Sequence, residues 1–142
     1  MLKIHINYEV IFLLKWKNDY SIGIEEIDEQ HKILFEISER AYSLLTNDFY
    51  TDKYDKILEI IEELKNYTIF HFKYEEEYMM SIRYKRFLSH KVEHDDFIEK
   101  FNSIDFISID QEQDKYIMSI LEYLVDWVSS HILENDKLIT EN

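Results

Sequence analysis

The chain has 142 residues, the size of one domain. Its 16 Lys and Arg residues are outnumbered by 30 Asp and Glu residues, and a formal net charge of −14 repels nucleic-acid phosphates and anionic lipid headgroups. The absence of cysteine excludes disulfides, thiolate catalysis and cysteine-held zinc or iron–sulfur sites. We therefore expect no nucleic-acid or membrane partner, and any metal must be held by His and carboxylate.

The chain has 1 glycine and 0 prolines, which are the residues that build most turns. Because sheets need frequent turns, this composition predicts an all-helical fold. The longest apolar run near the start, Val10 to Leu14, is far shorter than the ~20 residues that span a bilayer. It also lacks the features of a signal peptide, so a cytoplasmic protein is expected.

An N-terminal arm, residues 1–20, precedes the first periodic segment. Its large aromatic residues Trp16 and Tyr20 are expected to pack on the rest of the domain, because such rings are seldom left in water. His5 lies in the arm, outside every motif, and is expected to be a surface residue. Residues 21–142 are predicted to form the folded bundle.

Apolar residues spaced three and four apart predict the first two helices. One covers Glu25 to Leu45, and the other begins near Thr51, a favourable N-cap residue. The inward positions of the first are Ile27, His31, Leu34, Ser38, Ala41 and Leu45. Those of the second are Ile57, Ile61, Leu64, Thr68, His71, Glu75 and Met79.

Two more helices show the same periodicity, the third from Tyr84 to Asn102 and the fourth beginning near Asp110. Short connections favour antiparallel neighbours, so the predicted fold is an all-α, up-down-up-down antiparallel four-helix bundle. The inward positions of the third helix are Phe87, His90, His94, Phe97 and Phe101. Those of the fourth are Ile117, Leu121, Leu124, Val128 and His131.

Five of the 6 histidines fall on these inward stripes, where leucine would be expected. A single core histidine is more often a hydrogen-bonded packing residue. Five together would leave several ring nitrogens without partners, at about 1–3 kcal/mol each. Residues four apart on a helix point in nearly the same direction, as do His71 with Glu75 and His90 with His94.

All these side chains are predicted to meet at one end of the bundle. In an up-down-up-down arrangement, the starts of helices one and three lie beside the ends of helices two and four. Asp136 follows His131 by five residues, which suits a shared site only where the helix ends. The converging side chains are His31, His71, Glu75, His90, His94, His131 and Asp136.

Five imidazoles and two carboxylates exceed the four ligands of one tetrahedral zinc, which implies two metals. This ligand chemistry suits iron, zinc, manganese or nickel. The Glu-x-x-His motifs of carboxylate-rich di-iron bundles and the His-Glu-x-x-His motif of zinc peptidases are both missing from the chain. The predicted site is therefore rich in histidine.

The motifs around these residues resemble one family, the hemerythrins, and within it the single-domain bacterial type. They read IDEQHK at 27–32, HFKYE at 71–75, HKVEH at 90–94 and HILEND at 131–136. The resemblance covers about residues 16–136.

The resemblance implies a non-haem centre of two irons, bridged by Glu75, Asp136 and an oxo or hydroxo group. It assigns His90, His94 and His131 to one iron and His31 and His71 to the other. Dioxygen would bind reversibly at the two-histidine iron, in a dry apolar pocket. By their offsets from the ligands, the pocket residues are Leu34, Phe72, Trp127, Val128 and Ile132.

Reversible dioxygen binding by a carrier, store or sensor, without covalent turnover of a substrate, is therefore the leading hypothesis. One alternative is a di-iron enzyme that reduces oxygen, peroxide or nitric oxide. Others are an iron storage or homeostasis protein and a signalling protein that acts through a separate chain. An unknown redox or signalling partner is compatible with each of these roles, and the net charge favours a monomer or weak oligomer.

Overall fold

Four α-helices make up most of the computed structural model, which describes residues 15–47, 53–104 and 113–141, with the backbone only for 113 and 114. The helices are α1 (Glu25–Leu45), α2 (Tyr54–Ser81), α3 (Phe87–Asn102) and α4 (Gln113–Glu134). Two 3₁₀ helices, Asn18–Tyr20 and Asp136–Ile139, flank them. The described ranges contain no strand, and the all-α prediction is confirmed.

Helix α1 begins at the predicted residue because Asp28 fastens the chain in front of it. The carboxylate accepts hydrogen bonds from Ser21 Oγ at 2.6 Å and from the Ile22 backbone N–H at 2.9 Å. Gly23 between them has φ +85°, which glycine adopts without a steric penalty. Acidic residues in the first turn also favour the positive end of the helix dipole. The helix start is thus fixed two turns before His31.

The inward stripes predicted from the sequence form the core. Every predicted position on α1 and α2 is buried, and so are the predicted positions on α3 and α4 apart from the half-buried Phe87 and Val128. Helix α1 packs against α2 and α4, and α2 packs against α3. Helices α3 and α4 pack together where the rings of Phe97 and Trp127 stack, with centroids 4.2 Å apart. The predicted four-helix bundle is confirmed.

Helix α3 begins at Phe87, three residues later than predicted. The reason is a turn in which Arg83 has φ 54° and the Tyr84 N–H donates to the Met79 carbonyl at 2.9 Å. This turn buries the Tyr84 side chain against Met79 and Ile139. The apolar Tyr84 therefore belongs to the connection and not to the helix.

The C-terminal segment returns to the start of the bundle. Helix α4 ends at Glu134, and the 3₁₀ helix that follows begins at Asp136. Thr140 Oγ1 then donates a hydrogen bond to the Ile22 carbonyl at 2.7 Å. This contact holds the 3₁₀ helix beside the beginning of α1, at the end of the bundle where the histidines were predicted to meet.

The N-cap of α2 is Lys53 and not the predicted Thr51, which itself lies outside the described ranges. The start of the fourth helix near Asp110, His5 and most of the arm also lie outside these ranges. Of the arm, Tyr20 is buried with its ring 5.0 Å from that of Phe35, and Trp16 packs on the same cluster. The division into an arm of residues 1–20 and a bundle of 21–142 stays a prediction. Within the described ranges, no helix is both long and apolar enough to cross a membrane.

Candidate metal centre

The seven side chains predicted from the sequence converge on one buried point. Their ligand-type atoms form two overlapping clusters, and within each cluster the atoms lie within 4.8 Å of one another. All seven side chains are at least nine-tenths buried. We call His90, His94 and His131 the three-histidine group and His31 and His71 the two-histidine group.

Inside each group the imidazole nitrogens face one another. The Nε2 atom of His131 lies 3.1 Å from the Nε2 atoms of both His90 and His94. The Nε2 atoms of His31 and His71 are also 3.1 Å apart. Two imidazole nitrogens at this distance do not both carry a proton, so at least one nitrogen of each facing pair presents a lone pair. Such a set of lone pairs is suited to a cation.

Glu75 lies between the two groups and presents one oxygen to each. Its Oε1 atom is 2.7 Å from His90 Nε2 and 3.2 Å from His94 Nε2. Its Oε2 atom is 3.3 Å from His71 Nε2. A carboxylate that faces two sets of imidazoles in this way can bridge two metal ions.

Asp136, which follows the last long helix, also presents its two oxygens to the two groups. Its Oδ1 atom lies 3.0 Å from His90 Nε2 and 3.1 Å from His131 Nε2, while Oδ2 lies 3.1 Å from His31 Nε2. The carboxylate reaches this place because α4 has ended at Glu134, so Asp136 no longer follows the helical rotation. Its spacing of five residues from His131 is explained by the helix end.

Three histidines have outer hydrogen-bond partners that fix the direction of their lone pairs. Each Nδ1–H donates to an oxygen that can only accept, so in the neutral ring Nε2 is left unprotonated and points into the cluster. These contacts are His71 to Gln30 Oε1 at 2.7 Å, His94 to Glu76 Oε2 at 3.0 Å and His131 to Glu93 Oε2 at 3.1 Å.

The donor set fits a pair of cations. Within the described residues, three carboxylate oxygens of the cluster, Glu75 Oε2 and both oxygens of Asp136, are buried without a hydrogen-bond partner. Buried carboxylates without compensation are strongly unfavourable, and metal ions between the groups would satisfy these oxygens and the facing imidazoles together.

Protons compete with metal ions for this cluster. Burial acts to lower the pKa of His31 and His90, but the carboxylates of Asp136 and Glu75 outweigh it and raise these pKa values to about 9 and about 10. Burial likewise acts to raise the pKa of Glu75, and the surrounding imidazoles hold it well below its usual range. Because metal binding requires neutral imidazoles, loading the site must release protons.

Aromatic rings cover the three-histidine group. The ring of Phe72 is parallel to that of His94, with centroids 3.8 Å apart, and Trp127 stacks on His131 at 4.5 Å. The predicted pocket residues Leu34 and Phe72 belong to the main core, Ile132 to the cluster around Phe35, and Val128 packs against both. That these residues form the wall of an oxygen pocket stays a prediction.

The outer partners of three histidines, Gln30, Glu76 and Glu93, are not among the predicted site residues. Each directly adjoins a predicted ligand in the sequence, which was the available signal. The histidine that each one contacts lies on a different helix, so helical spacing alone could not identify the pairs.

Comparison with known proteins gives consistent matches over nearly the whole chain. A family model described as Hemerythrin HHE cation binding domain matches residues 22–141. The chain is 52% identical over 122 residues to the bacteriohemerythrin of Clostridium acetobutylicum, which covers 86% of this chain and 95% of that protein. It is 31% identical over 125 residues to the bacteriohemerythrin of Pseudomonas paraeruginosa, covering 87% and 76%. A bacteriohemerythrin of Methylococcus capsulatus is 26% identical over 134 residues, covering 89% and 93%.

Proposed function

The chain belongs to the hemerythrin family, and on this premise we propose that it binds dioxygen reversibly at a pair of iron ions, as a carrier, store or sensor of oxygen. One observation carries the proposal. Two carboxylates each present one oxygen to the three-histidine group and the other to the two-histidine group, which is the arrangement needed to bridge two metals.

We assign each group of histidines to one iron. The three-histidine group would hold one ion and the two-histidine group the other, with Glu75 and Asp136 bridging them. Two carboxylates and five imidazoles complete fewer positions than two six-coordinate ions offer, and the two-histidine group leaves more of them open. When bound, a pair of ferrous ions would supply the electrons for reversible dioxygen binding.

The pocket residues keep water away from the site. Leu34, Phe72 and Ile132 are buried, and Trp127 and Val128 are half-buried. Water or a proton donor beside the bound gas would promote its loss in reduced form and leave ferric iron behind. An apolar wall therefore favours reversible binding.

Binding without turnover is the role that the site supports better than catalysis. The acidic side chains that touch the histidines from outside, Glu76 and Glu93, contact Nδ1 atoms on the far side of the rings from the cluster. Among the described residues, the cluster itself contains no acid or base besides the seven side chains assigned to the metals. General acid–base catalysis requires a positioned group within hydrogen-bond reach of the substrate.

Anaerobic reduction followed by exposure to air tests this function. An iron-loaded sample should develop a visible charge-transfer band that disappears under vacuum and returns with air. A band that does not reverse would contradict the proposal. Steady consumption of oxygen or peroxide with a reductant would instead indicate an enzyme. One zinc, or more than two irons per chain, would indicate metal homeostasis.

The cellular setting stays a proposal. We propose a cytoplasmic protein that is a monomer or weak oligomer, since a net charge of −14 opposes close self-association at low salt. Sedimentation at low and high salt measures the oligomeric state, and a tight dimer at low salt would contradict this part of the proposal.

A further inference from the structure

The outer partners of the histidines follow a regular pattern around the bundle. In each case a residue directly beside a ligand on one helix accepts a hydrogen bond from a histidine on the next helix. Gln30 adjoins His31, Glu76 adjoins Glu75, and Glu93 adjoins His94. The contacts run from α1 to α2, from α2 to α3 and from α3 to α4, between Gln30 and His71, Glu76 and His94, and Glu93 and His131.

The outer partners of the two groups of histidines differ in charge. Both of its carboxylates, Glu76 and Glu93, support the three-histidine group. The two-histidine group has only the neutral amide of Gln30, because the Nδ1 atom of His31 is buried without a hydrogen-bond partner among the described residues. The two metal positions therefore differ in outer charge as well as in the number of histidines.

A carboxylate behind an imidazole makes the ring a more basic ligand, whereas an amide fixes the ring without adding negative charge. We propose that Glu76, Glu93 and Gln30 are positioning residues that make the two metal positions unequal. The three-histidine position holds its ion more tightly and favours the higher oxidation state, and the two-histidine position is the first to lose its ion. This inference rests on the proposed function only for the assignment of metals to the two groups.

The contribution of each carboxylate should follow its burial. The Glu76 side chain is 16% exposed, whereas that of Glu93 is 46% exposed and also accepts a hydrogen bond from Asn135 Nδ2 at 2.6 Å. Solvent screens charges in exposed pairs strongly. Replacing Glu76 should therefore have the larger effect.

Competition with a chromophoric chelator, under anaerobic conditions with Fe²⁺ alone, tests the order of metal loss. The wild-type chain should release its irons in two steps. Glu76→Ala should weaken the affinity for the iron that leaves second. The expected change is about 10- to 100-fold, the usual effect of removing such a partner. Gln30→Ala should weaken only the first. Loss of both irons in one step, or an effect of Glu76→Ala on the first iron alone, would overturn the proposal.

Glu99→Gln is the matched control for the loss of one negative charge. Glu99 lines the same groove between α2 and α3 as Glu76, and its exposed side chain makes no contact with a ligand histidine among the described residues. Both release steps should match those of the wild type. If the control weakens the second iron as much as Glu76→Ala does, general surface charge and not the hydrogen bond sets the affinity.

Isosteric exchanges of charge test the effect on oxidation state. Glu76→Gln should raise the midpoint potential of the iron centre, because a neutral partner stabilises ferric iron less, and Gln30→Glu should lower it. A purely structural role would not move the potential in opposite directions for two exchanges that preserve shape. Shifts of the same sign, or none, would overturn the proposal. If Gln30→Glu fails to fold, Gln30→Met should still weaken the first iron released, and an unchanged affinity would count against the proposal.

These measurements need no dioxygen, so the two hypotheses can fail separately. Stepwise iron release and opposite shifts in potential, in a protein that shows no reversible band in air, would leave this inference standing and refute the proposed function. A reversible band from a protein whose two irons are released together would support the proposed function and refute this inference.

Discussion

The ring of Phe72 lies flat against the imidazole of His94, with centroids 3.8 Å apart and an interplanar angle of 3°. Phe72 comes from α2 and His94 from α3, so this stack joins two helices at the site and covers one face of a proposed iron ligand, beside a groove that both residues line. The same ring contributes to the main core. We therefore expect both the stability of the fold and the protection of the metal centre to depend on Phe72.

Phe72→Ala should lower the free energy of unfolding by about 3–5 kcal/mol, the usual effect of emptying a buried aromatic position. It should also speed the oxidation of the air-exposed centre to a form that vacuum does not reverse, since water gains access. Urea unfolding and the decay of the visible band measure the two effects. Phe70→Ala is the control, because Phe70 lies on the same helix and is 54% exposed. Equal effects of the two substitutions would contradict this role.

Glu75→Gln should reduce the metal content below two ions per chain. The substitution keeps the shape of the side chain but removes the charge that both groups of histidines face. Elemental analysis after desalting measures the stoichiometry. Glu77→Gln, an exposed position on the same helix, should retain the full metal content. Two tightly held ions in Glu75→Gln would show that this carboxylate does not bridge them.

The stability of the metal-free protein should fall as the pH rises above neutrality. His31 and His90 have pKa values raised to about 9 and about 10 in the folded chain, against about 6.5 when unfolded, and the pKa of His94 is also raised. Their contribution is complete below about pH 6.5 and is lost as the pH rises through the folded values. His71 acts in the opposite sense because burial lowers its pKa.

At low pH, the protonation of carboxylates limits the stability of the metal-free protein. Burial opposes ionisation of Glu75 and Asp136, but the imidazoles around them lower both pKa values, so their contribution is present above about pH 4 and lost below it. Bound metal replaces the imidazole protons, so the gain in thermal stability on metal loading should be larger at pH 8.5 than at pH 6.0. Melting curves with chelator or with metal test this. An equal gain at both pH values would contradict it.

Val128→Leu should slow the irreversible oxidation of the centre. Val128 is half-buried between the two apolar clusters, one turn before His131. One added methylene would narrow the access of water, although overpacking could lower stability by about 1–3 kcal/mol. The decay of the visible band in air measures the rate. Val92→Leu, at a position 55% exposed, is the control and should leave it unchanged.

The sequence was sufficient for the bundle because its signals are periodic. Inward positions at spacings of three and four lie on one face of a helix wherever the helix ends, so errors in its boundaries do not move them. Helix α1 has the bounds predicted for it. The start of α3 was misplaced because Tyr84 has the apolar character of a core position but occupies a turn defined by Arg83 and Met79.

The seven converging side chains could also be predicted, since alternating helix directions place them at one end. The outer partners could not. Gln30, Glu76 and Glu93 look like ordinary polar residues of a solvated face, and their roles depend on the rotation of one helix relative to the next. Helical spacing made Asp136 a candidate only because it lies near the predicted end of α4, and the 3₁₀ helix that brings it to the cluster has no clear signal in the sequence.

Anomalous diffraction at the iron absorption edge, from crystals of the iron-loaded protein, tests the central claim most directly. We expect two peaks in the buried cluster, one beside the three-histidine group and one beside the two-histidine group, with Glu75 and Asp136 each in contact with both. A single peak, or iron bound outside these seven side chains, would contradict the account.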